Sequence, residues 1–302
     1  VNYMLLLELI DNSNRDYMVE DIKDMITYFN KKNVTLDMSA SFEQGKQLIK
    51  IQCDDKKYDN KIIKLINLHV GNVLYKVIID EFYKNNIGKL LTQSFPFLKF
   101  DDIKALKEMV YRALRDEDEK VDETVIYFMN RKNNVIEKIV QCLEENNEVN
   151  VQGLLTFRMK DFKEDLESIV EKVVEKYMVE KEYNEFIKLL KYFVEVQESK
   201  LQEVHIMIDE KGDYIVKDEF GNDILNNIID ELYETKYTAK VTSEDLIISG
   251  LITTAPQRVI IHSVHNCINK ELIETIKNVF ENRVSYCNDC KQCEALRSKA
   301  KI

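Results

Sequence analysis

The sequence predicts an α+β chain: a mostly helical centre flanked by a small N-terminal β-α-β-β unit and a C-terminal mixed α/β unit. Three observations carry this expectation. Gly and Pro are scarce, 7 and 2 in 302 residues, which leaves long helices uninterrupted. Apolar residues recur at helical spacing from about Asn60 to Lys200. Toward both ends the spacing falls to two, the signature of half-buried strands.

The elements follow in order. Tyr3–Ile10 is an apolar run of strand length. Asp16–Asn30 carries Tyr17, Ile22, Met25, Ile26 and Phe29 on one helical face. Val34–Ser41 alternates as a strand, Glu43–Lys46 turns at Gly45, and Leu48–Cys53 returns, which makes a hairpin. From Ile63 to Phe82 one apolar stripe runs through Ile66, Val70, Val73, Val77 and Ile78. Pro96 interrupts it, and Asp101 or Asp102 is placed to cap a helix over Ile103–Leu114. The charge-dense run Arg115–Glu123 is expected as an exposed loop. A helix over Val125–Leu143 follows, then a pause at Glu144–Asn150. In Val151–Gln197 the apolar positions Phe162, Leu166, Ile169, Val173 and Tyr177 step by three or four. Tyr183, Phe186, Ile187, Leu190 and Val194 repeat the scheme, so this stretch is either one long helix or a hairpin of two.

Beyond Lys200, Val204, Ile206 and Ile208 alternate with His205 and Met207, Gly212 marks a turn, and Tyr214–Val216 completes a hairpin. Phe220–Asp223 is a second turn, Ile224–Glu234 is helical, and Ser243 or Asp245 opens a helix through Leu251. A strand over Arg258–Val264, a helix over Lys270–Glu281 and a closing strand over Arg283–Tyr286 have the spacing of a parallel crossover. Three stretches result: residues 1–95 as a small α/β domain, 96–200 as a helical domain, and 201–302 as an α/β domain ending in a cysteine cluster.

Charge narrows the function classes. Lys+Arg 43 against Asp+Glu 54 leaves a net −11 and a pI near 5.1, which disfavours a protein that coats nucleic acid. The last 20 residues are locally basic at Arg283, Lys291, Arg297, Lys299 and Lys301, so a zinc-ribbon-like nucleic-acid binder ranks last among the readings. The longest uncharged apolar run, Leu246–Ala255, is too short for a span, which needs about 20 helical residues. The expectation is no membrane span, no signal peptide and a cytoplasmic location, with the six cysteines as reduced thiols. No Gly-rich phosphate loop, GxSxG elbow or HExxH pair occurs.

The stretches GLLTFRMKDF from Gly153, VEKEYNEFIKLLKYFVEVQ through Gln197, EDLIISGLITTAPQRVIIH at Glu244–His262 and ELIETIKNVFENRV at Glu271–Val284 resemble the YtxC-like family of sporulation-associated proteins. The resemblance covers roughly the second half of the chain. It implies a context, a cytoplasmic protein linked to endospore formation, and no reaction or catalytic residue. The long amphipathic helices add the expectation of a protein partner or self-association through the helical region.

One motif carries chemistry. Cys287-x2-Cys290-x2-Cys293 lets three thiolates turn toward one point, and soft thiolates select zinc or iron–sulfur. A tetrahedral site needs a fourth ligand, and Cys267 is the first candidate, with His262 or His265 as the alternative. Zinc stands ahead of iron–sulfur, because the position three residues beyond Cys293 is Arg297 where a ferredoxin run has its fourth cysteine. Against the metal stands the plain alternative of reduced thiols near a C-terminus. His205, alternating with Val204 and Ile206, reads as a surface or edge histidine, and Cys53 and Cys142 as core thiols. The function expected is a non-enzymatic accessory or interaction protein with a structural metal site. A metal- or iron–sulfur-dependent enzyme or redox protein using the CxxCxxC group is the alternative.

Overall fold

Alternation at the N-terminus builds a sheet. In the computed structural model, which describes residues 3–54, 60–115, 123–225, 242–287, 290–291 and 293–294, β1 (Tyr3–Asp11) pairs antiparallel with β3 (Lys46–Asp54), and β3 pairs antiparallel with β2 (Leu36–Glu43). Leu7 and Leu9 on β1 and Ile49, Ile51 and Cys53 on β3 share the buried face, as a period of two requires. α1 (Asp16–Lys31) covers that face with Met18, Ile22, Met25, Ile26 and Phe29. The expected β-α-β-β unit is therefore present, and the fold is α+β.

The sheet gains a strand that the sequence reading lacks. Within the expected pause, β4 (Glu148–Asn150) pairs parallel with β1 at Glu8–Ile10, giving the order β2-β3-β1-β4. Three residues with one buried side chain, Val149, carry no periodicity to find, and a distant partner supplies the pairing.

The helices pack beside this sheet. α2 (Asn60–Phe82) is followed by a π-helical turn at Tyr83–Ile87 and by α3 (Gly88–Ser94). The stretch Asn60–Ser94 is long and apolar enough to cross a membrane by length and composition, but 56% of its most apolar window is buried in the protein, as in a core helix. Gly71 lies against α5 (Glu123–Glu145), where an added Cβ would sit 3.0 Å from the Val140 Cγ2. α4 (Phe100–Arg115) begins earlier than expected. Asp102 is its third residue, and its carboxylate reaches back to accept from the Lys99 backbone N–H at 3.0 Å. The same carboxylate accepts from the Tyr177 hydroxyl at 2.7 Å.

After α6 (Val151–Gly153) and a second π-helical turn at Leu154–Arg158, α7 (Met159–Val196) runs as one helix, which resolves the choice between one helix and two. The chain divides into two compact units, Val1–Met178 and Val179–Ile302, where the sequence reading draws three stretches with bounds at 95 and 200. The first unit holds one core, from Leu7 through Val174.

The second unit has its own core. Ile187, Leu190 and Val194 of α7 join Val204, Ile206 and Ile208 of β5 (Glu203–Ile208) and Val259 and Ile261 of β7 (Arg258–His262). β6 (Tyr214–Asp218) pairs antiparallel with β5, while β7 and β8 (Val284–Cys287) extend the sheet in parallel, in the order β6-β5-β7-β8. Gly212 closes the β5–β6 hairpin at φ +87°, a conformation that favours glycine. α8 (Ser243–Thr254) opens with Thr242 as its cap rather than Ser243, and Asp245 completes a reciprocal capping box. α9 (Lys270–Phe280) is the expected crossover helix between β7 and β8 and buries Leu272, Ile276, Val279 and Phe280. The expected loop over residues 116–122 and the expected helix beyond Leu225 lie outside the described residues, as do residues 295–302.

Candidate metal centre

The parallel pairing of β7 with β8 sets the chemistry of the C-terminal cysteines. His262 is the last residue of β7 and lies directly across from Cys287, the last residue of β8. Ser263 then turns the chain in a left-handed conformation, φ 53° and ψ 43°. Its N–H donates to the Cys287 carbonyl at 3.0 Å, so the two strand ends are tied together. Beyond β8, the Glu294 N–H donates to the Cys290 carbonyl at 3.0 Å, a turn that brings Cys293 back over the sheet end.

The result is one group of four ligand atoms, from His262, Cys287, Cys290 and Cys293, all within 4.8 Å of one another. Cys290 Sγ and Cys293 Sγ are 3.6 Å apart, and each is 3.5 Å from His262 Nδ1. These lengths can be compared with a tetrahedron. Bonds of about 2.3 Å to sulfur and about 2.0–2.1 Å to imidazole nitrogen give edges of about 3.8 Å between sulfurs and about 3.6 Å from nitrogen to sulfur. The edges among His262, Cys290 and Cys293 fit a single tetrahedral ion, and Cys287 Sγ lies within 4.8 Å of all three. An iron–sulfur cluster spreads its four protein ligands over two or more irons, whereas these four atoms lie within 4.8 Å of one another, a spacing closer to that of ligands on one ion.

Electrostatics agree with ligation. His262 and Cys293 are buried, at 3% and 0% exposure. Burial, and then the neighbouring His205, hold the His262 pKa below its ordinary value, which keeps the ring neutral with a lone pair to offer. An ion held by all four would have no open position, the pattern of structural rather than catalytic zinc sites. A cleft of about 630 Å3, lined by His205, Arg258, Ile260, Tyr286 and Lys291 among others, reaches His262, Cys287 and Cys290 and gives an ion a way in.

The side chain that groups with the three cysteines is His262, and the first candidate, Cys267, lies outside that group. The short 3-10 turn Val264–Asn266 redirects the chain after β7. Cys267 Sγ instead lies 3.1 Å from the Asn269 carbonyl and 3.4 Å from the Tyr214 hydroxyl. His265 is exposed on the same turn and stands outside the group. Cys53 is buried in the first core and Cys142 is half-buried, with burial pushing its pKa up. Arg158 pairs with its neighbour Asp161 at 3.5 Å.

His205, read from the sequence as a surface or edge histidine, sits beside the group. Its Nδ1 lies 3.0 Å from His262 Nε2, with the two rings 5.3 Å apart. Alternation along β5 shows which face His205 takes. The signal that would have found it is the pairing register, which sets Met207 opposite His262 and so places His205 one step diagonal to it.

A family model described as the YtxC-like family matches residues 68–285. The uncharacterized protein YtxC of Bacillus subtilis (strain 168) is 22% identical over 218 residues, covering 70% of this chain and 74% of that protein. No solved structure matches. The family match includes His262 and ends before Cys287, so the cysteines of the centre rest on the geometry alone.

Proposed function

The chain belongs to the YtxC-like family, and we propose that it is a non-enzymatic accessory or interaction protein linked to sporulation whose second unit is closed by one zinc ion. The observation that supports the metal is the convergence of four soft and borderline ligand atoms within 4.8 Å, three of them, from His262, Cys290 and Cys293, at tetrahedral edge lengths. The zinc would be held by His262, Cys287, Cys290 and Cys293. It would supply structure: a link between the end of β7 and the segment that follows β8. The link to sporulation is supported by the family resemblance. An interaction role is supported by exposed apolar side chains on the later part of α7, among them Val179, Phe186, Leu189, Tyr192 and Val196. These would meet a protein partner or a second copy.

The test is metal analysis of protein purified without oxygen. About one zinc per chain is expected, lost in Cys290→Ala and in Cys293→Ala. Removal of the ion by a chelator should lower the thermal midpoint of the wild type and leave the variants unmoved. Iron with broad visible absorption would favour the redox reading instead. Protein without metal, whose stability is unchanged in Cys290→Ala, would remove both.

A further inference from the structure

We propose that His205 and Glu203 form an outer shell that fixes His262 as an Nδ1 ligand, with the His262 proton on Nε2. The inference rests on the metal reading above and adds to it the group that sets how firmly the ion is held.

The strands dictate the arrangement. In the parallel pairing of β5 with β7, Glu203 lies across from Arg258, His205 from Ile260 and Met207 from His262. With a period of two, these six residues share the sheet face opposite the buried Val204, Ile206, Val259 and Ile261. His205 is therefore held beside His262 by backbone pairing.

The ring nitrogens then have fixed duties. His262 Nδ1 faces both Cys290 Sγ and Cys293 Sγ at 3.5 Å, so in a ligating ring Nε2 carries the proton. That N–H has an acceptor in place, His205 Nδ1 at 3.0 Å. Accepting there puts the His205 proton on its own Nε2, which faces Glu203 Oε2 at 3.8 Å, the range of a charge contact or a bridging water. Glu203 is held in turn by Arg258 at 2.7 Å. The His205 side chain is 17% exposed, so water competes weakly for the shared proton. A ligating histidine whose second nitrogen is engaged in this way has one ring orientation and a more basic lone pair.

The test compares zinc affinity of the full chain, by competition with a chromophoric chelator, in the wild type, His205→Ala, His205→Asn and Glu203→Gln. His205→Ala should bind zinc about 10- to 100-fold more weakly. His205→Asn can place an amide oxygen near the site of Nδ1, and should restore affinity to within about threefold of the wild type. Glu203→Gln should lose less than His205→Ala does. Two readouts separate positioning from general destabilisation. The visible band of the cobalt-loaded protein should shift in His205→Ala and return in His205→Asn. Imidazole nitrogen shifts of the zinc-loaded wild type should show metal on Nδ1 and a proton on Nε2 of His262. Unchanged affinity and spectrum in His205→Ala, or metal on Nε2, would overturn the outer shell and leave the metal centre standing. A wild type that takes up no zinc would overturn both. If His205→Ala does not fold, His205→Asn and the nitrogen shifts of the wild type decide the question.

Discussion

Replacing Asp165 should destabilise the first unit by an amount that depends on pH in a defined direction. The residue is on α7 and only 4% exposed. Its carboxylate accepts from Lys138 Nζ at 2.6 Å, Arg131 at 3.2 Å and Asn134 at 3.3 Å. The three donors stand at i, i+3 and i+7 on one face of α5, so a single helix face presents them together. Burial alone would raise the Asp165 pKa, but Lys138, Asn134 and Arg131 outweigh it and hold the group below its ordinary value. A hydrogen bond to a charged group contributes about 1.5–3 kcal/mol at best. Arg131 and Lys138 are 34% and 39% exposed, so water takes back part of each contact when the partner is removed. The discounted loss is about 2–3 kcal/mol for Asp165→Ala and about 1–2 kcal/mol for Asp165→Asn. The folded pKa is depressed, so this contribution is present in full above the unfolded carboxyl value of about 4 and is lost as pH falls through the folded value. Urea unfolding of wild type and Asp165→Asn at neutral pH and down to about pH 2 reads the gap directly. A gap at neutral pH within the scatter of surface substitutions, about 0.5 kcal/mol, would refute the reasoning, as would one that persists undiminished in acid.

Two further outcomes follow from backbone geometry. Gly71→Ala places a methyl 3.0 Å from Val140 Cγ2 and 3.5 Å from Ile136 Cγ2, and a helical valine has essentially one rotamer to offer. Overpacking of about 1–3 kcal/mol should outweigh a propensity gain of about 1 kcal/mol, and a thermal midpoint at or above wild type would show that α2 and α5 yield freely. Ser263 is left-handed at φ 53°, so Ser263→Gly should keep or raise stability while Ser263→Val costs about 1–2 kcal/mol; equal unfolding midpoints for the two variants would contradict this.

What the sequence made legible was local. The strand β3 shows its buried face because Ile49, Ile51 and Cys53 alternate, and α1 shows its own because Ile22, Met25, Ile26 and Phe29 recur at helical spacing. The triple-cysteine spacing singled out three residues that the structure does bring together, all within seven positions of one another. What escaped depended on which strands are neighbours. β4 exists because β1 offers an open edge to three residues that have no pattern of their own. For the fourth member of the group, nearness in sequence puts Cys267 first, with His262 or His265 as the alternative, and gives no means of seeing which side chain the fold turns toward the cysteines. Only the chain reversal at Ser263 and the turn Val264–Asn266 separates the residue that faces the cysteines from the two carried past them. His205 looked bland for the same reason: its partner is 57 positions away.

The direct apposition of His262 and Cys287 has a consequence for how the chain matures. A slip of one residue between β7 and β8 would turn one of the two side chains to the opposite face of the sheet. Four ligands then could not converge, and the ion would have no site. The zinc proposed above would therefore bind only a correctly paired sheet, and its uptake would report that the pairing of β7 with β8 is in register.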